Sequence, residues 1–302
     1  MEHSRRFIIS TILAVGFCLH ALTLYGQWNL YNPLPTEKDL FGVFFLDSVN
    51  GWAVGNEGVI LRSNGENWTK EECPTLRTLR TVFFLNEEIG WAAGYHGTLL
   101  KYENQEWTLQ NSNTFKDIYS IYFLDETHGW AVGYNGLIMH YNGVEWTVQP
   151  SPTNFTLRSV CFTDTENGWA VGNGGKILKH DSNGWVEIPA VTYTALKSVS
   201  FVDESNGWAV GDYGKVLYYN GEYWATQISN TDAYLRAVHF IDNKNGWAAG
   251  DGGTILYFDG YNWVEQMHGY ILNRAYSIHF SSEKNGCFVG NSGTIVMYNG
   301  EE

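Results

Sequence analysis

Four cysteines, four methionines and six prolines in 302 residues leave little room for several familiar chemistries. Cys18 lies in an N-terminal apolar run. Cys73, Cys161 and Cys287 stand far apart, an odd number with no C-x-x-C spacing. Neither a disulfide framework nor a zinc site is written there. Histidines such as His20, His140, His180, His239 and His268 lack metal-ligand spacing of the H-E-x-x-H kind. Basic residues are also scarce, 18 against 32 acidic, for a net charge of −14. A field of that sign repels nucleic acid and anionic membrane surfaces and favours solubility. No segment has the apolar period near 3.6 that a helical solenoid requires. The glycine-rich stretch G-W-A-V-G-N-G-G-K-I-L (Gly168 to Leu178) misses both phosphate-binding motifs. A Walker-type loop needs glycine where Ala170 stands and a hydroxyl where Ile177 stands, and the dinucleotide fingerprint also fails at Ile177. No metal and no cofactor is therefore expected.

The N-terminus has its own character. Arg5 and Arg6 precede an apolar run from Phe7 to Tyr25, followed by Gly26 and then Gln27. This is the layout of a secretory signal peptide over residues 1–26, cleaved after a small residue. The run is long enough that an uncleaved anchor is the alternative. No later stretch is apolar enough to span a bilayer. Cleavage removes Glu2, Arg5 and Arg6 and leaves 16 basic and 31 acidic residues, a net of about −15. The expectation is an exported protein, periplasmic, cell-surface or secreted, with no membrane span after cleavage.

What is abundant is a repeat. G-W-A-V-G begins at Gly51, Gly129, Gly168 and Gly207, G-W-A-A-G at Gly90 and Gly246, and an altered G-C-F-V-G at Gly286. Each unit reads L-x-x-V-x-F, then G-W-A-V-G-x-x-G-x-I-L, then a polar turn ending in tryptophan. Four short β-branched and aromatic segments separated by turns, repeating every 39 or 40 residues, predict a β-propeller. The expected fold is all-β over residues 27–302, with seven blades of four antiparallel strands.

All 13 tryptophans occupy two positions of the unit: Trp52, Trp91, Trp130, Trp169, Trp208 and Trp247 in the second strand, and Trp28, Trp68, Trp107, Trp146, Trp185, Trp224 and Trp263 opening the fourth. Exposed rings would invite sugar binding, but this regularity points to filler between blades. A buried tryptophan covers ~200 Å², worth about 5 kcal/mol of transfer free energy. In the last unit Cys287 and Phe288 replace Trp-Ala, which moves the large ring one place along. The tryptophan that should follow Gly286 would fall at position 303, one past Glu302. Trp28 supplies it, so the N-terminal strand should complete blade 7 and remove an exposed sheet edge.

These motifs resemble the propellers related to the photosystem II assembly factor, within the wider BNR (Asp-box) repeat class. The resemblance covers Trp28 to Glu302. S-N-G-E-N-W (Ser63 to Trp68), Y-N-G-V-E-W (Tyr141 to Trp146) and F-D-G-Y-N-W (Phe258 to Trp263) stand where such repeats usually have D-G-G-x-T-W, so the Asp-boxes are degenerate. The resemblance implies an exported scaffold that binds another protein during assembly.

In a propeller the first strand starts at one end of the central channel. The residue after the leucine of L-x-x-V-x-F should therefore sit at the channel mouth: Phe41, Arg80, Tyr119, Arg158, Lys197, Arg236 and Tyr276. Four cations and three aromatics at one repeat position, in an acidic chain, point to an anionic ligand, either a carboxylate-bearing peptide end or an acidic glycan. The turns between second and third strands add possible rim contacts at Tyr95, His96, Tyr134, Asp212, Tyr213 and Asp251. The plainer alternative is that the ring only solvates the strand starts. The opposite face takes the acidic loops D-S-V-N-G to D-N-K-N-G. Three arginines also invite comparison with sialidases, yet there is no R-I-P motif and no tyrosine–glutamate nucleophile pair. Glycoside hydrolysis needs two carboxylates, and Asp212 and Asp251 occupy equivalent turns on adjacent blades, but such turns are commonly Asn, Asp or Gly for conformational reasons alone. No catalytic residue is assigned. A monomeric, non-catalytic binding propeller is the principal reading, and a carbohydrate-binding protein or glycosidase the alternative.

Overall fold

The computed structural model describes residues 27–266 and 274–300. The expected signal peptide, residues 1–26, lies outside them. Twenty-eight strands form seven four-stranded antiparallel sheets. Six follow chain order from the innermost strand outward; blade 3, for example, runs Ile118–Asp125, His128–Gly133, Ile138–Tyr141, Trp146–Val148. The seventh is closed from the other end of the chain. Gln27–Leu30 pairs antiparallel with Ile295–Asn299, placing Trp28 opposite Tyr298. Among the described residues, no helix is long and apolar enough to cross a membrane.

The blades adhere through one repeated layer. The phenylalanine of L-x-x-V-x-F lies flat over the glycine of G-W in its own blade, where a Cβ on Gly129 would fall 2.3 Å from the Phe123 ring. The tryptophan of the preceding blade stacks on the other side of that ring. Trp52 meets Phe84 at 3.5 Å, Trp91 meets Phe123 at 3.8 Å, and Trp208 meets Phe240 at 3.7 Å, all within 17° of parallel. Glycine is required there because the close aromatic approach leaves no room for a side chain. Twelve of the thirteen tryptophans are buried and Trp185 is half-buried, which makes them interblade filler.

The seam between blades 7 and 1 is the exception. Cys287 and Val289 pack with Val43, Phe45 and Trp68, joined by the partly buried Tyr31 and Met297. Phe288 instead turns towards Trp28 and Trp247 on the blade 6 side. Trp28 nevertheless behaves as the fourth-strand tryptophan of its blade. Its Nε1 donates to Gln266 Oε1 of blade 6 at 2.8 Å, as Trp263 does to Gln227 and Trp107 to Glu71.

Candidate functional site

Seven innermost strands surround the channel with one edge each, and those edges have no neighbouring strand to receive their N–H groups. Side chains of the preceding blade do so instead. Val43, Ile121, Val160, Val199 and Val238 donate to the hydroxyls of Ser277, Thr81, Ser120, Ser159 and Ser198 at 3.1–3.4 Å. Deeper in, Phe240 donates to Ser200 Oγ, Phe280 to His239 Nδ1 and Phe45 to His279 Nδ1. Those acceptors belong to a second ring at the x of V-x-F, where Phe44, Phe83, Tyr122, Cys161, Ser200, His239 and His279 constrict the channel. Phe44 lies 4.8 Å from Phe83 and 4.5 Å from His279, and the two histidine rings lie 4.3 Å apart. Burial lowers the pKa of His239 to about 4 and holds that of His279 well below the usual imidazole value, so both imidazoles are neutral acceptors. Sequence reading missed this constriction because its chemistry changes from blade to blade; the recurrent Ser/Thr two residues after the leucine was the available signal.

Above the hydroxyl ring, all seven expected mouth residues, Phe41, Arg80, Tyr119, Arg158, Lys197, Arg236 and Tyr276, line one cavity of about 250 Å³. They are brought together but are not equivalent. Arg236 is bidentate on Asp251, with Nη2–Oδ2 at 2.8 Å, and that pairing raises its pKa. Lys197 pairs with Asp212 at 3.1 Å. Asp212 and Asp251 are thus counter-ions of the mouth. Arg158 finds only a neutral partner at the equivalent place, the amide oxygen of Asn173 at 3.1 Å.

Among the described residues, Arg80 has no ion-pair partner. Its guanidinium lies 4.1 Å from the Phe41 ring centroid and 5.8 Å from those of Tyr95 and Tyr119, and its buried Nε lacks any hydrogen-bond acceptor. Burial, reinforced by Arg158, lowers its pKa. Tyr119 is shared, with Arg158 4.6 Å from its centroid, and burial raises its pKa. Phe41 and Tyr276 continue the circuit at 4.8 Å. The net result is a lopsided mouth. Two cations are neutralised by carboxylates in blades 5 and 6, and two without carboxylates flank Tyr119 in blades 2 to 4.

Of the rim residues, Tyr95 reaches the mouth, packing edge-on against Tyr119 at 6.3 Å. His96, Tyr134 and Tyr213 are exposed on the turns outside the cavity. His96 and Tyr213 hold the left-handed backbone, φ 56° and 57°, that blades 4 and 6 assign to Gly174 and Gly252. On the opposite face, acidic side chains serve turns: Asp47 Oδ1 accepts from the Val49 and Asn50 N–H groups, and Asp164 accepts from Glu166 and Asn167.

No family model matches this chain, and no curated protein matches it. Solved structures do. YCF48 bound to D1 peptide superposes with a TM-score of 0.76 at 18% identity, covering 94% of this chain and all of the other. YCF48 from Cyanidioschyzon merolae gives 0.75 at 19%, covering 91% of this chain and all of that one. The WD40 propeller domain of Doa1 gives 0.76 at 10%, covering 91% and 98%. The fold is therefore that of the assembly-factor propellers that the repeat motifs resemble.

Proposed function

We propose that this chain is an exported, non-catalytic binding propeller whose channel mouth captures an anionic group of a protein or peptide partner. The observation that carries the reading is Arg80, a half-buried cation set between aromatic rings and beside Arg158, with no carboxylate among the described residues neutralising either. A half-buried guanidinium without a counter-ion gives up part of its hydration, so a ligand carboxylate entering the cavity would supply the charge partner that the fold leaves out. Arginine suits this through its planar fork, and Phe41 and Tyr119 shield it from water. The likeness to a propeller solved with a bound peptide supports a peptide over an acidic glycan. A glycosidase fits less well. Asp212 and Asp251 each hold a cation, and a general acid needs an apolar setting that keeps its proton.

The test is the double variant R80Q/R158Q. It should lose capture of carboxylate-bearing peptides while keeping its melting temperature. R236Q, which leaves the Arg80–Arg158 sector intact, should weaken capture far less. Retained capture by the double variant would reject the site. Export over residues 1–26 predicts a native envelope-fraction protein beginning at Gln27. Intact Met1 on that protein, read by terminal sequencing, would reject cleavage.

A further inference from the structure

The loops that lead into each innermost strand share one backbone, so the blades act as controls for one another. In six loops a threonine hydroxyl accepts the N–H two residues on, from Thr36 in blade 1 to Thr231 in blade 6. The residue after that threonine is Glu37, Asn154 or Asp232 in blades 1, 4 and 6, so the turn itself asks for nothing apolar. Blade 5 places Tyr193 there, 86% exposed but with a polar hydroxyl, and blades 2 and 3 place the wholly apolar Leu76 and Phe115, 84% and 90% exposed. Arg77 and Lys116 follow directly. Their charged ends meet the carbonyls of His96 and Asn135 at 3.2 and 3.1 Å. Phe115 and Lys116 also line a shallow depression of about 510 Å³ with Asp117 and the exposed Tyr134.

This sector adjoins the two cations that lack carboxylates. Leu76 and Phe115 each lie four residues before a mouth residue, Arg80 and Tyr119, a reach of at most about 14 Å. We infer that the partner segment is an extended peptide of about five residues with alternating acidic and apolar side chains. One carboxylate sits on Arg80 and Arg158, the apolar side chains lie outward against Leu76, Phe115 and Tyr134, and Arg77 and Lys116 meet further acidic groups. About five residues at ~3.3 Å each cover that distance. The inference deepens the anion-binding reading and rests on it. Charge complementarity selects the occupant. A second copy of this chain, at net −14, would bring mostly like charge to its own acidic surroundings, and a glycan would leave Leu76 and Phe115 without apolar contacts.

The test uses labelled hexapeptides alternating Asp or Glu with Leu or Phe, and a matched set with Ser in place of Leu and Phe, read by fluorescence anisotropy on the full chain. L76N/F115N borrows the asparagine that blade 4 carries at the same place, so it should keep the wild-type melt. It should weaken the apolar set at least tenfold and bring it level with the serine set, while V144N on the opposite face changes nothing. Equal affinity of wild type and L76N/F115N for the apolar set would overturn the inference. So would self-association of wild type that L76N/F115N abolishes, which would assign the patch to a second copy. Failure of the underlying anion reading looks different, since R80Q/R158Q would then bind both sets as wild type does.

Discussion

Replacing Trp28 by alanine isolates what holds the ring shut. Trp28 is the only buried tryptophan before blade 1, and it contributes to blade 7 from the other end of the chain. Its ring lies 4.8 Å from Tyr298, 5.3 Å from Phe288 and 5.9 Å from Phe280. Deleting a buried tryptophan side chain costs about 3–5 kcal/mol. The substitution also strands the buried Gln266 Oε1, at about 1–3 kcal/mol. Allowing for overlap, the expected loss is about 4–6 kcal/mol. The unfolding entropy of a propeller this size is about 0.6 kcal/mol/K, so its melting temperature should drop by roughly 7–10 °C. Trp28→Phe keeps an aromatic ring but not the donor, and should cost less, chiefly about 1–3 kcal/mol for the stranded Gln266 Oε1. Trp68→Ala, at the same place in a covalently continuous blade, is the internal standard. Scanning calorimetry on the chain reads all three. A Trp28→Ala melt within 1 °C of wild type, alongside a large drop for Trp68→Ala, would refute closure by the N-terminal strand.

Gly129→Ala should destabilise by about 1–3 kcal/mol or more, because its Cβ would press on Phe123 against the Trp91 stack; urea titration measures it. Gly184→Ala meets nothing within 4 Å, so its cost should be confined to backbone strain at φ 101°. Acid should weaken the channel. The folded pKa values of His239 and His279 lie below the unfolded value near 6.5, so the unfolded chain binds protons first and stability falls as pH drops from about 6.5 towards 4. The contribution of His239 alone reaches about 3 kcal/mol. His140 and His180, also lowered by burial, add to the same window. Urea midpoints at pH 7, 5.5 and 4.5 test this, and H239S, which copies Ser200 of blade 5, should flatten the profile.

Most of the architecture was legible in the sequence because the constraint recurs seven times. The phenylalanine–glycine–tryptophan layer allows almost no substitution, so its residues stand in register and announce both the blades and the missing strand. The mouth ring was legible for the same reason, since one place in the repeat meets one place in space. What that reasoning could not weigh was pairing. Arg236 with Asp251, Lys197 with Asp212 and Arg158 with Asn173 are each 15 residues apart, across the strand pair that the innermost strand makes with the second. The offset was countable, but its meaning depends on the bulge after the leucine, which aims the mouth residue back at the turn. The seam between blades 7 and 1 was half legible. The displaced ring at Phe288 was visible, whereas its replacement at the seam by Tyr31 and Met297 depends on packing from two distant segments.

A repeat protein separates structure from function by its own internal comparison. What the fold requires recurs around the ring: the glycine beneath phenylalanine in all seven blades, the threonine that caps the entry loop in blades 1 to 6, and an Asp, Asn or Ser side chain that closes the far turn. Departures confined to one sector carry no such obligation. Leu76 and Phe115 are exposed where blades 1 and 6 place acids. Arg80 is half-buried without the carboxylate that blades 5 and 6 supply. These departures concentrate on the mouth face, most densely in blades 2 and 3. Each gives up stability or solubility that a neighbouring blade keeps. A ligand bridging that sector would recover those losses together, which is why the proposed binding rests on blades 2 to 4 rather than on the whole basic ring.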